Sequence, residues 1–252
     1  MQKPQTTRTL ILCVTVFRMK KLLTLIASAM VFLSTAEAAL VVRSGGMIYD
    51  TTRNITWLAD MNYAKTSGHS GVGVDAEGTM TWAAAGAWAS SLVYGGFDDW
   101  RLPTLNPFDT TCRDSADPGG GLPVYYYGPG CTGGELSHLF VADLGNKDTE
   151  SVLTQVGDTA EQIANLALFT QVLGNRYWSG TPFAPEPGYA WIFSADVGLQ
   201  NDDQPNSRSY VVLARDGDLP SQVPAPQTLA LALLALGGLA ATRRRKSAAP
   251  TA

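Results

Sequence analysis

The chain has 252 residues, 45% of them apolar, and a formal net charge of −4 at pH 7. Those totals conceal a strongly acidic centre: residues 39–222 carry nine Lys and Arg against twenty-one Asp and Glu, a net of −12. Such a surface repels phosphate and sulfate backbones, which excludes nucleic acid as a natural partner; the carboxylates serve either solubility or the capture of a divalent cation.

The amino-terminal part reads as an address. Met19-Lys20-Lys21 is a positive n-region, Leu22 to Leu33 is the apolar stretch, and Ala36-Glu37-Ala38 is the small-x-small pattern that signal peptidase cuts. Residues 1–38 are therefore expected to be a signal peptide cleaved after Ala38. Residues 1–18 precede a complete signal, so translation starts at Met19 or the signal is long. A retained anchor helix is the alternative, but the apolar run is short against the ~20 residues of a span.

Residues 39–222 suit one domain with its own core. Val41 to Tyr49 reads as an opening strand broken at Gly45-Gly46. A turn at Asp50 to Asn54 leads to a second strand, Ile55 to Leu58. Ser67 to Gly78 is a polar, Gly-rich loop. Thr79 or Thr81 caps a helix from about Trp82 to Val93, with Trp82, Ala85, Ala89 and Leu92 on its inner face and Trp88 near the edge. In Trp100-Arg101-Leu102-Pro103-Thr104, Pro103 restricts Leu102 to extended geometry.

Residues 105–134, rich in Gly and Pro, read as an insertion with Tyr125-Tyr126-Tyr127 near its tip. Cys13 falls in or before the signal, leaving Cys112 and Cys131. In an oxidising compartment these predict a disulfide closing the insertion, a loop size for which chain entropy gives ~3 kcal/mol. A thiolate metal site is the alternative, but no partner His lies nearby. Glu135 to Leu144 predicts a short helix with Leu136, Leu139 and Phe140 inward, and Thr159 to Leu173 a third. Strands are expected at Tyr177 to Thr181, Tyr189 to Phe193 and Ser209 to Ala214. Helices mostly first and antiparallel strands mostly last predict a single compact α+β domain.

Beyond it, Val223-Pro224-Ala225-Pro226 precedes an apolar run, Leu229 to Ala241, and the cluster Arg243-Arg244-Arg245-Lys246. As a helix the run falls short of the ~30 Å hydrocarbon core, and the arginines extend its reach by snorkelling. The basic cluster stays cytoplasmic by the positive-inside rule. The arrangement over 223–246, with a tail at 247–252, resembles the PEP-CTERM sorting signal, with Val223, Pro224 and Pro226 as the motif and Ala225 where that family has Glu. The resemblance implies processing by an exosortase-type membrane protease and release or attachment outside the inner membrane. A plain tail anchor is the alternative.

Six ordered segments carry a second resemblance: Ile55-Thr56-Trp57-Leu58, Met80-Thr81-Trp82, Phe97 to Thr104, Glu135 to Leu139, Tyr177 to Thr181, and Ala190 to Phe193. Over residues 47–216 the chain resembles the Lcl C-terminal-domain family. The Trp-Arg-Leu-Pro-Thr segment is also similar to one in C-type-lectin-like and formylglycine-generating-enzyme folds. The resemblance implies a compact α+β fold in an exported or surface protein. The family's named member binds sulfated glycans through basic residues, which are not evident in this acidic domain.

Candidate sites follow from residue chemistry. Trp57, Trp82, Trp100 and Trp178 are expected in the core, the usual place of such rings. Tyr125, Tyr126 and Tyr127, in a polar insertion, are the expected contact surface for a glycan or exopolysaccharide. Asn201-Asp202-Asp203-Gln204-Pro205-Asn206 reads as a carboxylate-rich hairpin tip; Asp202, Asp203 and Asn206 are the candidate calcium ligands, since calcium takes six to eight oxygens. Gln204-Pro205-Asn206 resembles the Pro-centred calcium and sugar motif of C-type lectins, but the Trp-Asn-Asp segment which that family adds downstream is absent. His69 and His138 stand apart, and no Gly-x-Ser-x-Gly, His-Glu-x-x-His or phosphate loop is present. The expectation is a non-enzymatic extracellular module without an obligatory cofactor. A calcium-dependent lectin, a structural matrix protein and a secreted polysaccharide hydrolase are the alternatives.

Overall fold

A computed structural model describes residues 39–219. The signal at 1–38 and the sorting segment at 223–246, with Val223, Pro224, Pro226, Arg243, Arg244 and Arg245, lie outside the described residues. No helix among the described residues is long and apolar enough to cross a membrane.

Two antiparallel sheets and a few short helices make up an α+β domain. Strands β1 (Leu40–Arg43), β2 (Met47–Asp50) and β3 (Ile55–Leu58) form a meander. The last strand, β9 (Ala214–Asp216), closes it in the order β1-β2-β3-β9. Gly45 and Gly46 take φ of 75° and 72° in the β1–β2 turn, a conformation other residues adopt at a cost. The first and last parts of the domain are thereby joined side by side.

Two helices follow the meander, α1 (Tyr63–Thr66) and α2 (Trp82–Ser91). Thr81 caps α2, its hydroxyl accepting the Ala84 N–H at 3.4 Å. Ala85, Trp88 and Ala89 are the buried face of α2. Trp88 therefore occupies the core position expected for Trp82, and Trp82 remains partly exposed one turn and a half earlier.

The second sheet runs β4 (Asp114–Ala116), β5 (Tyr125–Pro129), β8 (Leu199–Asp203), β7 (Ala190–Ser194) and β6 (Arg176–Pro182). The segment expected to hang off the domain as an insertion thus joins the main sheet: Gly128 pairs with Gln200 and Pro129 with Leu199. Strand β8 replaces part of the hairpin tip expected at 201–206, because the real turn lies earlier, at residues 195–198, and β7 and β8 pair from Ser194↔Leu199 to Ala190↔Asp203. The strand expected at Ser209 to Ala214 reduces to bridges, Met80↔Ser209 and Tyr177↔Tyr210, before β9 begins. Here the backbone of 209–210 bonds to both Met80 and the β6 segment, so it links two elements instead of extending one sheet.

Helix α3 (Glu135–Ser137) continues as a π-helix over His138–Asp143, with the Leu144 N–H donating to Leu139 O. Helix α4 (Ala160–Leu166) is shorter than the 159–173 expected. Thr159 and Gln162 form a reciprocal capping box at its start.

Two apolar clusters fill the interior. One holds Trp57, Leu136, Phe140, Tyr177, Trp191 and Phe193. The rings of Phe140 and Phe193 stack at 5.0 Å. The other holds Met80, Trp88, Trp100, Leu102, Trp178 and Ile192 beneath α2. Trp178 donates from Nε1 to Met80 O at 2.7 Å, so its polar edge is satisfied inside the core.

Candidate functional site

A concavity lies where α2 meets the Trp100–Thr104 segment. Small side chains on α2 create it: Ala83, Gly86, Ala89 and Ser90 leave a low wall, and Trp82, Trp100 and Leu102 supply apolar surface. Its volume is about 480 Å³, within the ~300–1,000 Å³ of typical small-ligand sites.

Each wall is held from behind. Trp82 Nε1 donates to Ser179 O at 2.9 Å, which fixes the partly exposed indole. Trp100 is buried and donates to Tyr94 O at 3.2 Å. Gly180 N–H donates to Pro103 O at 2.8 Å, and a Cβ at Gly180 would meet Leu102 Cβ at 3.3 Å, so glycine permits this close approach.

Among the described residues, Arg101 is the only charged one lining the groove. Its guanidinium forks onto Glu135, Nη1 to Oε2 and Nη2 to Oε1, both at 2.8 Å, and also bonds Asp216. Burial opposes ionisation of Glu135, but the Arg101 hydrogen bond and the Thr104 N–H outweigh it and hold the carboxyl below its ordinary value. The groove therefore offers aromatic and aliphatic surface rimmed by the hydroxyl-bearing Ser90 and Thr104, around a neutralised cation.

The expected tyrosine surface has a different setting. Tyr125, Tyr126 and Tyr127 lie on β5 and are half-buried, not carried on an exposed tip. Tyr125 meets Phe183 at 5.2 Å and Trp191 at 5.8 Å, edge to face, and Tyr127 at 5.8 Å. Pairing of β5 with β8 draws the triplet against the core, which spacing within 105–134 does not reveal.

The three candidate calcium ligands are not gathered into one shell. Asp202 and Asp203 are neighbours on β8, so their side chains leave opposite faces of the sheet. Asp203 accepts from Arg176 Nη1 at 2.7 Å and from Ser207 Oγ at 2.6 Å. Asp202 stands opposite Trp191 in the β7–β8 register, and Asn206 is exposed in the following loop.

Cys112 and Cys131 form the expected disulfide. Asp109 lies against it as the one grouping of potential metal donors among the described residues. Both sulfurs are consumed by the S–S bond. Asp109 itself accepts N–H bonds from Thr111, Thr132 and Gly133, so it staples the loop. His69 stacks on Trp88 at 5.3 Å. His138 Nε2 sits 3.8 Å from Asp143 Oδ1 in a largely buried polar cluster with Asp50 and Arg53.

Three of the six segments that carry the sequence resemblance, Met80 to Trp82, Phe97 to Thr104 and Tyr177 to Thr181, contribute residues to the groove, and the Lcl C-terminal domain model matches residues 46–215. The chain belongs to the Lcl C-terminal domain family. Membership carries the expectation of an extracellular or cell-surface setting for this Lcl C-terminal domain. No curated protein and no solved structure matches the chain. Sequence reasoning marked Trp82 and Trp100 only as core and missed Gly86, Ser90 and Thr104 as groove residues. The run of small residues through α2 was the available signal.

Proposed function

We propose that this protein is an exported, non-enzymatic binding module that holds an extracellular glycan or exopolysaccharide in the groove between α2 and Trp100–Thr104. The observation that carries this reading is the groove itself: about 480 Å³, with a partly exposed Trp82 clamped by its Nε1 hydrogen bond and hydroxyls at the rim. Sugar rings stack on such faces by the same C–H and π contacts that make aromatics effective in binding sites. The non-enzymatic part is supported by the groove lining, whose one charged group is an Arg101 already paired with two carboxylates.

Export through a signal peptidase, followed by sorting through an exosortase-type protease and transient inner-membrane anchoring, completes the proposal. It is supported by the Met19–Ala38 and Val223–Lys246 patterns. The domain then resides in the periplasm, on the outer surface or in the extracellular matrix. The disulfide agrees with that oxidising setting.

A glycan array probed with the protein, with and without calcium, tests the binding reading. Glycan signal independent of calcium is expected. Silence across the array together with biofilm loss on deletion would transfer the role to a structural matrix protein. Turnover of a polysaccharide abolished by a carboxylate substitution would replace binding with hydrolysis. Fractionation in a host bearing the sorting protease tests the addresses; a full-length chain held in the cytoplasm would end that part.

A further inference from the structure

A second concavity lies where Tyr125 of β5 and Trp191 of β7 approach each other across β8. It is small, about 50 Å³, and lined almost wholly by apolar groups, among them Tyr125, Trp191, Phe108, Leu122, Pro123 and Ala184. Two of its lining side chains are exposed apolar groups: Phe108 is 55% exposed and Leu122 42%. A water occupies ~30 Å³ of liquid and needs two or more polar partners, which this lining does not provide. The volume is far below a sugar ring and matches one small apolar substituent.

A carboxylate neighbours one of its walls without lining the pocket itself. Asp202 faces Trp191 across the β7–β8 register, on the same side of the sheet. Its charge also reaches the phenol of Tyr125, the other aromatic wall. No other side chain bonds to Asp202 among the described residues, whereas its neighbour Asp203 is consumed by Arg176 and Ser207. Burial, with Asp203 and Glu186 nearby, pushes the Asp202 carboxyl up. An incoming N–H donor would relieve that desolvation.

Charge narrows the ligand further. The described domain has nine Lys and Arg; eight sit in salt bridges, and the ninth, Arg53, donates to the carbonyls of Thr132 and Gly133. No uncommitted cation among the described residues is placed to receive a sulfate, phosphate or uronate. A substituent at the second concavity must be small, apolar at its end, and carry a donor rather than an anion.

We infer that the Tyr125–Trp191 pocket is a second subsite that takes the acetamido group of an N-acetylated amino sugar, its methyl against the apolar lining and its N–H on Asp202. This rests on the glycan-binding reading and names the class of polysaccharide. The test titrates the full chain in detergent with three tetrasaccharides: tetra-N-acetylchitotetraose, its de-acetylated form and cellotetraose. A heparin tetrasaccharide serves as the anionic arm. The N-acetylated sugar is expected to bind at least tenfold more tightly than the other three, with the strongest saturation transfer at its acetyl methyls. Ala184 is exposed, so Ala184→Leu plugs the pocket without entering the core, and it should remove the tenfold preference. Asp202→Asn should weaken binding severalfold with an unchanged melting temperature. Equal affinity for cellotetraose, or a preference for heparin, overturns the acetamido subsite and leaves the groove by α2 standing. Binding of none of the four overturns both.

Discussion

Arg101 and Glu135 meet as two parallel forks, with both N–O contacts at 2.8 Å. Glu135 Oε2 also accepts the Thr104 N–H at 2.8 Å. One carboxylate thus ties the groove-lining strand segment to the start of α3. Because its ionised form is held below its ordinary pKa, its stabilisation is full above about pH 4.5 and is lost as acidification protonates it in the folded state. Glu135→Gln is expected to cost about 2 kcal/mol at pH 7, with the gap to wild type closing towards pH 3. Urea midpoints measured across that range check it; a gap independent of pH would remove the ion pair from the account.

Asp143 behaves in the opposite sense. Burial, reinforced by the neighbouring Asp50, pushes its carboxyl up to about 7. A carboxyl raised in the folded state favours folding while it is protonated, and that contribution fades as pH rises through 7. Asp143→Asn should therefore be more stable than wild type at pH 8 by on the order of 2 kcal/mol, with the difference shrinking towards pH 5. Thermal melts at the two pH values decide it. His138 works against this trend: burial lowers its pKa, so acidification below about 6.5 favours its unfolded form. The comparison is for that reason made between variant and wild type.

Gly86 faces open space on α2; a Cβ there would meet nothing within 4 Å. Gly86→Leu should fill the groove and reduce glycan affinity by tenfold or more. Stability should rise by about 0.5–1 kcal/mol, since glycine inside a helix is unfavourable. Calorimetry paired with a melting curve separates the two effects. Retained affinity in a stabilised variant would move the ligand elsewhere on the surface.

The Cys112–Cys131 bridge joins positions 19 residues apart. Replacing both cysteines with alanine should cost about 2–4 kcal/mol. Because β4 and β5 lie within the bridged loop, hydrogen exchange in β5 should rise more than in β2. Uniform protection across both strands would show that the loop is held by β5–β8 pairing alone.

Local elements were legible from the chain because their signals are local. The Gly45-Gly46 turn, the Thr81-capped helix and the disulfide all depend on a few adjacent residues or on a pair in an oxidising space. The acidic balance likewise required only counting.

Long-range pairing settled the rest. The 195–198 turn sets the register of β8, and that register put Asp202 and Asp203 on opposite faces and drew Tyr125 against Trp191. Whether Trp82 or Trp88 would be buried depended on which side of α2 met Trp100 and Trp178. Periodicity marks a helix with an apolar side, but the packing partner chooses the angle at which that side is buried, and concavities arise only between elements distant in the chain.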